Sequence, residues 1–157
     1  MSKRILVVDD HEVVRQGVRL ILRSHPEWQV VAEAEDGVDA IEKIKSLVPD
    51  LVILDISMPK KDGIEVMTEL KGKGLPSKIL VLTMHDSKEL SAVIRGSGAF
   101  GYVIKTQAAR DLVHAVQDIF DGGMFFPPDT PPSLKVTTEK PADSNSKKSG
   151  MFRLKLA

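Results

Sequence analysis

The chain has 157 residues, 42% of them apolar and 28% charged, with 22 basic side chains against 22 acidic ones and no cysteine. That is enough for one ordinary packed domain, and it excludes wholesale disorder, disulfides, thiolate metal sites and a cysteine nucleophile. Balanced charge gives no global attraction to nucleic acid or to an anionic membrane, and the longest apolar runs, four residues, fall far short of a membrane helix. Along the chain, Met-Ser-Lys-Arg leads into Ile5–Val8, which meets Asp9 and Asp10 too soon for a signal peptide, so a cytoplasmic protein is expected. A helical stretch follows, with Val14, Val18, Ile21 and Leu22 on one face, which Asp10 or His11 could cap. Next come the run Val30–Ala32 and a second helix lined by Val38, Ile41 and Ile44. Leu51–Leu54 precedes Asp55, and Ile64, Met67 and Leu70 share a face of the third helix. Ile79–Leu82 leads to Thr83 and a fourth helix marked by Leu90, Val93 and Ile94. Tyr102–Ile104 leads to Lys105 and a last helix carrying Leu112, Val116, Ile119 and Phe120. The apolar runs do not alternate, which is how strands buried on both faces read. Their spacing suits strand–helix–strand units, so a (βα)5 parallel sheet with helices on both faces is expected.

Polar residues stand where four of the five strands end. Ligands bind at the carboxyl edge of open parallel sheets, where the strand order reverses. If the order is 2-1-3-4-5, Asp9, Asp10 and Asp55 converge on one crevice there, flanked by Thr83 and Lys105. Two carboxylates about 4 Å apart repel by about 4 kcal/mol at an effective dielectric near 20. Three together call for proton uptake or a compensating cation, and a hard divalent ion with oxygen ligands, Mg2+, is the natural one. Lys105 adds a compact charge that can pair with a carboxylate or a phosphoryl oxygen, and Thr83 adds a hydroxyl. Such a crevice is suited to placing a phosphoryl group on one aspartate.

Ile-Leu-Val-Val-Asp9-Asp10, Leu-Val-Ile-Leu-Asp55-Ile-Ser-Met-Pro59 with Asp62-Gly63, Leu-Thr83 and Gly-Tyr102-Val-Ile-Lys105 occur in order and at set spacing. With these motifs residues 1–125 resemble the receiver domain of two-component response regulators. The resemblance implies a flavodoxin-like fold, doubly wound with strand order 2-1-3-4-5. It implies that Asp55 accepts phosphate from a histidine kinase or phosphotransfer protein, and that the chain is a phosphoacceptor rather than an enzyme, assisting its own phosphorylation and dephosphorylation. It also implies Mg2+ held directly by Asp10, Asp55 and the main-chain carbonyl of Ser57, with Asp9 acting through water. Lys105 would pair with the aspartyl phosphate. Thr83 would move toward it, letting Tyr102 turn inward and reshape the surface of the fourth helix, fifth strand and fifth helix. Ser57 and His85 occupy positions that in this family tune dephosphorylation. Pro59 supplies a fixed backbone angle and Gly63 a permissive one, and Lys60-Lys61 reads as a solvated loop. Thr106 stands where many receivers carry proline, so a cis peptide is not indicated.

His11 to Val18, Thr83 to Asp86, and Lys105-Thr106 with Leu112 and Ala115-Val116 resemble NarL/LuxR-type regulators, which carry a C-terminal DNA-binding helix-turn-helix. Residues 126–157 depart from that pattern. Five of the nine prolines lie there among Ser, Thr and Lys, with six basic and three acidic residues, and a mostly disordered tail is expected. It has no helical periodicity for a recognition helix, so DNA binding by this chain alone is not expected. Expected partners are a cognate kinase and an unidentified output protein, with a homodimer possible and no membrane. Two rival readings are a transcriptional regulator whose DNA-binding domain is lost or truncated, and an interaction module of receiver fold that is not phosphorylated. A hydrolytic phosphotransferase is disfavoured because His11 follows Asp9-Asp10 where an Asp-x-Asp motif would be needed. A nucleotide-binding fold is disfavoured because no Gly-rich loop follows the first strand.

Overall fold

The computed structural model describes residues 2–127. In chain order these form β1 (Lys3–Val8), α1 (Glu12–Leu22), β2 (Trp28–Ala34), α2 (Gly37–Leu47), β3 (Leu51–Asp55), α3 (Gly63–Lys73), β4 (Lys78–Thr83), α4 (Lys88–Gly96), β5 (Gly101–Ile104) and α5 (Ala108–Phe120). A single turn of 3-10 helix, Lys105–Gln107, joins β5 to α5. The strands make one parallel sheet in the order β2-β1-β3-β4-β5, the doubly wound (βα)5 arrangement expected from the sequence.

Side chains alternate across each strand, so the sheet serves two cores. Leu6, Val8, Val52, Leu54, Ile79 and Val81 face α2, α3 and α4. Ile5, Val7, Ile53, Leu80, Leu82 and Val103 face α1 and α5, where Val18, Leu22, Leu112 and Val116 meet them. β1, β3, β4 and β5 are therefore buried on both faces, which explains their unbroken apolar runs.

β2 differs. It lies at one edge of the sheet, and Val30, Val31 and Ala32 are only half-buried, whereas β5 at the other edge is buried throughout, with Phe125 bridged to Gly101 along its outer side. Two positions expected to line helix cores are also exposed: Val38 at 46% and Val93 at 49%. Each sits one residue off the buried stripe that Ile41 and Ile44, or Ser91 and Ile94, define.

α1 starts at Glu12 with His11 at its cap position, yet no side chain caps it. Neither Asp10 nor His11 serves as the cap the sequence allowed, because the His11 ring turns toward the neighbouring carboxylates instead. α3 begins with a full capping box: Asp62 Oδ1 accepts from Glu65 N, and Glu65 Oε1 accepts from Asp62 N, both at 2.9 Å. The described residues contain no cis peptide, in keeping with Thr106 after Lys105. The expected tail lies outside the described residues except for its first two, and Phe126 packs against the α2–α3–α4 core.

Candidate functional site

β1 and β3 are neighbours, and their carboxyl ends open on the same edge. Asp9 follows β1 and is wholly buried, while Asp55 closes β3 and is 2% exposed. Lys105, just past β5, reaches back across the edge: its Nζ lies 2.7 Å from Asp9 Oδ2 and 3.4 Å from Asp55 Oδ1. Asp10 stands at the rim with a more exposed carboxylate. One ligand atom each from Asp9, Asp10, His11 and Asp55 lies within 4.8 Å of every other.

The charge balance is incomplete. Asp9 and Asp55 share the Lys105 ammonium with Asp10 close by, and Asp55 Oδ2 is buried without a hydrogen-bond partner among the described residues. Burial, and then the charge on Asp9, push the Asp55 carboxyl above the ordinary carboxylate range. Lys105 and the Ser57 amide, which donates to Asp55 Oδ1 at 3.2 Å, offset this only in part. An unpaired buried carboxylate oxygen beside other carboxylates is the environment that a hard cation with oxygen ligands relieves, so the residues present fit Mg2+.

The remaining sequence-predicted residues divide by position. Ser57 contributes its backbone amide to Asp55 while its side chain is exposed. Thr83, at the end of β4 and 1% exposed, accepts through Oγ1 from His85 N at 3.1 Å. Val81 is in register with Tyr102, so Thr83 and Tyr102 lie on the same sheet face on adjacent strands, one diagonal step apart. Tyr102 is 3% exposed and packs under Phe126 rather than in the acidic crevice. His85 is exposed, with its ring outside the carboxylate cluster.

Sequence reasoning missed two residues of the site. Arg15 is buried, donates from Nη1 to the Asp9 carbonyl at 2.7 Å, and is held by Glu33, whose Oε1 lies 2.7 Å from Nε. It therefore fixes the backbone that aims Asp9. Its spacing of three from Val18 and seven from Leu22 puts it on the buried stripe of α1, and a charge on such a stripe was the available signal. His11, read from the sequence as a possible cap and a family motif residue but not as part of the site, sets Nδ1 3.0 Å from Asp9 Oδ1 and 3.2 Å from Asp10 Oδ1.

The loop after β3 also differs in detail from expectation. Gly63 does not need an unusual backbone angle; it needs the absence of a side chain, because a Cβ there would lie 2.6 Å from the Asp55 carbonyl oxygen. The positive φ in this loop, 68°, belongs to Lys60. Lys60 and Lys61 are not simply solvated: Lys60 lies 3.5 Å from Asp36, and Lys61 pairs with Glu69.

Comparison with known proteins gives a consistent picture. Residues 5–117 match the family described as response regulator receiver domain. The chain is 38% identical over 125 residues to the transcriptional regulatory protein DegU of Brevibacillus brevis, an alignment covering 80% of this chain and 53% of DegU. It is 37% identical over 145 residues to the response regulator protein VraR of Staphylococcus epidermidis, covering 91% of this chain and 68% of VraR. The chain thus spans about half the length of DegU and about two thirds of VraR. Among solved structures, the signal receiver domain of a NarL response regulator from Mycobacterium tuberculosis superposes with a TM-score of 0.73 at 35% identity, covering 77% of this chain and 98% of that one. The isolated REC domain of RcsB from Salmonella enterica, solved with the phosphomimetic BeF3-, gives 0.76 at 29% identity, covering 81% and 94%. Among the described residues, no helix is long and apolar enough to cross a membrane.

Proposed function

The chain belongs to the response regulator receiver family, of NarL/LuxR type, and on that footing we propose that Asp55 is its phosphoacceptor, taking a phosphoryl group from the phosphohistidine of a kinase or phosphotransfer protein. The observation that carries this reading is the buried Asp55 carboxylate, with one oxygen unpartnered, set beside Asp9 and within reach of Lys105. In the transfer one Asp55 oxygen bonds to phosphorus as the P–N bond of the donor breaks, and the imidazole nitrogen leaves with the electron pair.

Each residue's part follows from its place. Lys105 is free to shift from the Asp9–Asp55 pair to a phosphoryl oxygen, where its charge offsets the one being added. Asp10, Asp55 and the Ser57 carbonyl are the ligands assigned to Mg2+, with Asp9 acting through water; the ion would supply charge neutralisation at the transferring group. Thr83 is proposed to exchange its bond from the His85 amide for one to the phosphoryl group, with Tyr102 responding on the same sheet face. The α4–β5–α5 surface is the proposed output face, and Ser57 and His85 the residues that tune hydrolysis. The receiver is proposed to occupy residues 1–125 of a cytoplasmic chain acting through protein contacts, with the tail as a separate extension. Coverage of only half of DegU supports a second reading, that the chain is the receiver part of a transcription regulator.

With Mg2+ and acetyl phosphate, intact-mass measurement is expected to show one acid-labile phosphoryl group, lost in Asp55→Asn and Asp55→Ala. A variant labelled to the wild-type level would remove Asp55 from the role.

A further inference from the structure

After α5 the chain crosses Gly122-Gly123 and returns to the outer edge of β5. Phe125 N donates to the Phe100 carbonyl at 2.9 Å, and Tyr102 N donates to the Phe125 carbonyl at 3.0 Å. Gly101 and Phe125 form a single parallel bridge, so close that a Cβ on Gly101 would lie 2.1 Å from the Phe125 oxygen. This backbone clamp brings the Phe126 ring edge-on to Tyr102, with centroids 6.1 Å apart and planes at 64°. From outside, the Arg95 guanidinium of α4 lies 4.2 Å from the Phe126 ring centroid. The buried Tyr102 is thus covered by the segment that follows α5, and α4 touches that cover.

We infer that Phe126 is a positioning residue of the switch: it holds Tyr102 in its buried place, so the balance of the switch is set in the segment after α5. This rests on the phosphoacceptor reading of Asp55, Thr83 and Tyr102. If phosphorylation of Asp55 favours buried Tyr102, and docked Phe126 favours the same state, then phosphorylation and docking must favour each other by linkage. The phosphoryl state is then reported at residue 127, where any following segment is attached, by the tightness of a backbone clamp rather than by a new surface.

Tyr102 is the sole tyrosine of the chain, so its nitration by tetranitromethane reports on this one ring. In the full chain, Phe126→Ala is expected to speed nitration about five- to thirty-fold, the joint effect of losing the aromatic pair and the guanidinium contact. Phe126→Leu should recover part of the protection. Gly101→Ala, which displaces the Phe125 carbonyl without touching Phe126, should act in the same direction. Both alanine variants should take phosphate from acetyl phosphate more slowly than wild type, at equal far-UV circular dichroism. A variant-free arm is hydrogen exchange of the Tyr102 amide, which phosphorylation of the wild type should slow. Unchanged nitration in Phe126→Ala, or faster nitration with unchanged uptake and exchange, would reduce the contact to packing and overturn the inference. Failure of the wild type to label at Asp55 would instead overturn the phosphoacceptor reading, and the coupling with it.

Discussion

At Asp55, desolvation and the Asp9 charge raise the carboxyl, while Lys105 and the Ser57 amide pull it only part of the way back. The folded protein therefore keeps this proton over a pH range in which the unfolded chain has released it. The stabilisation it brings is complete below the ordinary carboxylate pKa and is lost as pH rises through the raised folded value. Without divalent cations, Asp55→Asn should gain on the wild type in thermal stability as pH rises through that range, by about 1–3 kcal/mol, the usual cost of leaving a buried polar group unsatisfied. Melting curves of both proteins against pH check this, and parallel curves would contradict it. The residue types of this site were legible in the sequence, since Asp9, Asp10, Asp55, Thr83 and Lys105 each follow an apolar run. The parts played by Arg15 and His11 were not, because they depend on where a backbone carbonyl points and how a ring turns.

Elements were legible to the extent that burial is periodic. β1, β3 and β4 are enclosed on both faces, and their apolar runs announced them; β2 carries a similar run but sits at the edge, which only pairing decides. Asp62 entered the sequence reading only as part of the Asp62-Gly63 motif; the structure shows it capping α3, and its reciprocal bond with Glu65 sets the start of that helix just beyond the loop after β3. Asp62→Ala should destabilise the fold by about 1 kcal/mol, read by chemical denaturation, through loss of the cap. β4 and β5 place Thr83 and Tyr102 on one sheet face, the geometry on which the proposed switch rests. Thr83→Ala should still be phosphorylated, while Tyr102 hydrogen exchange and nitration should lose their response to the phosphoryl group; a full response would take Thr83 out of the switch.

For the whole molecule, the acidic edge is a local electrostatic debt within an otherwise well-packed fold, and a ligand that binds only the folded state relieves it. Mg2+ at about a hundredfold over its dissociation constant should stabilise the protein by about 2.7 kcal/mol. Thermal melts across a Mg2+ titration should show the rise in wild type and a much smaller one in Asp10→Asn. Equal shifts in both would place any cation elsewhere.

By itself the sequence determined the order and type of the elements, the (βα)5 architecture and the identities of the five polar residues at the strand ends, because hydrophobic periodicity and chain order are local properties. Only the tertiary structure decided that Lys105 bridges Asp9 and Asp55, that Gly63 is required by the Asp55 carbonyl, and that Phe126 covers Tyr102. Those contacts join residues from eight to 96 positions apart in the chain, and no local pattern encodes a distance set by how five strands and five helices pack.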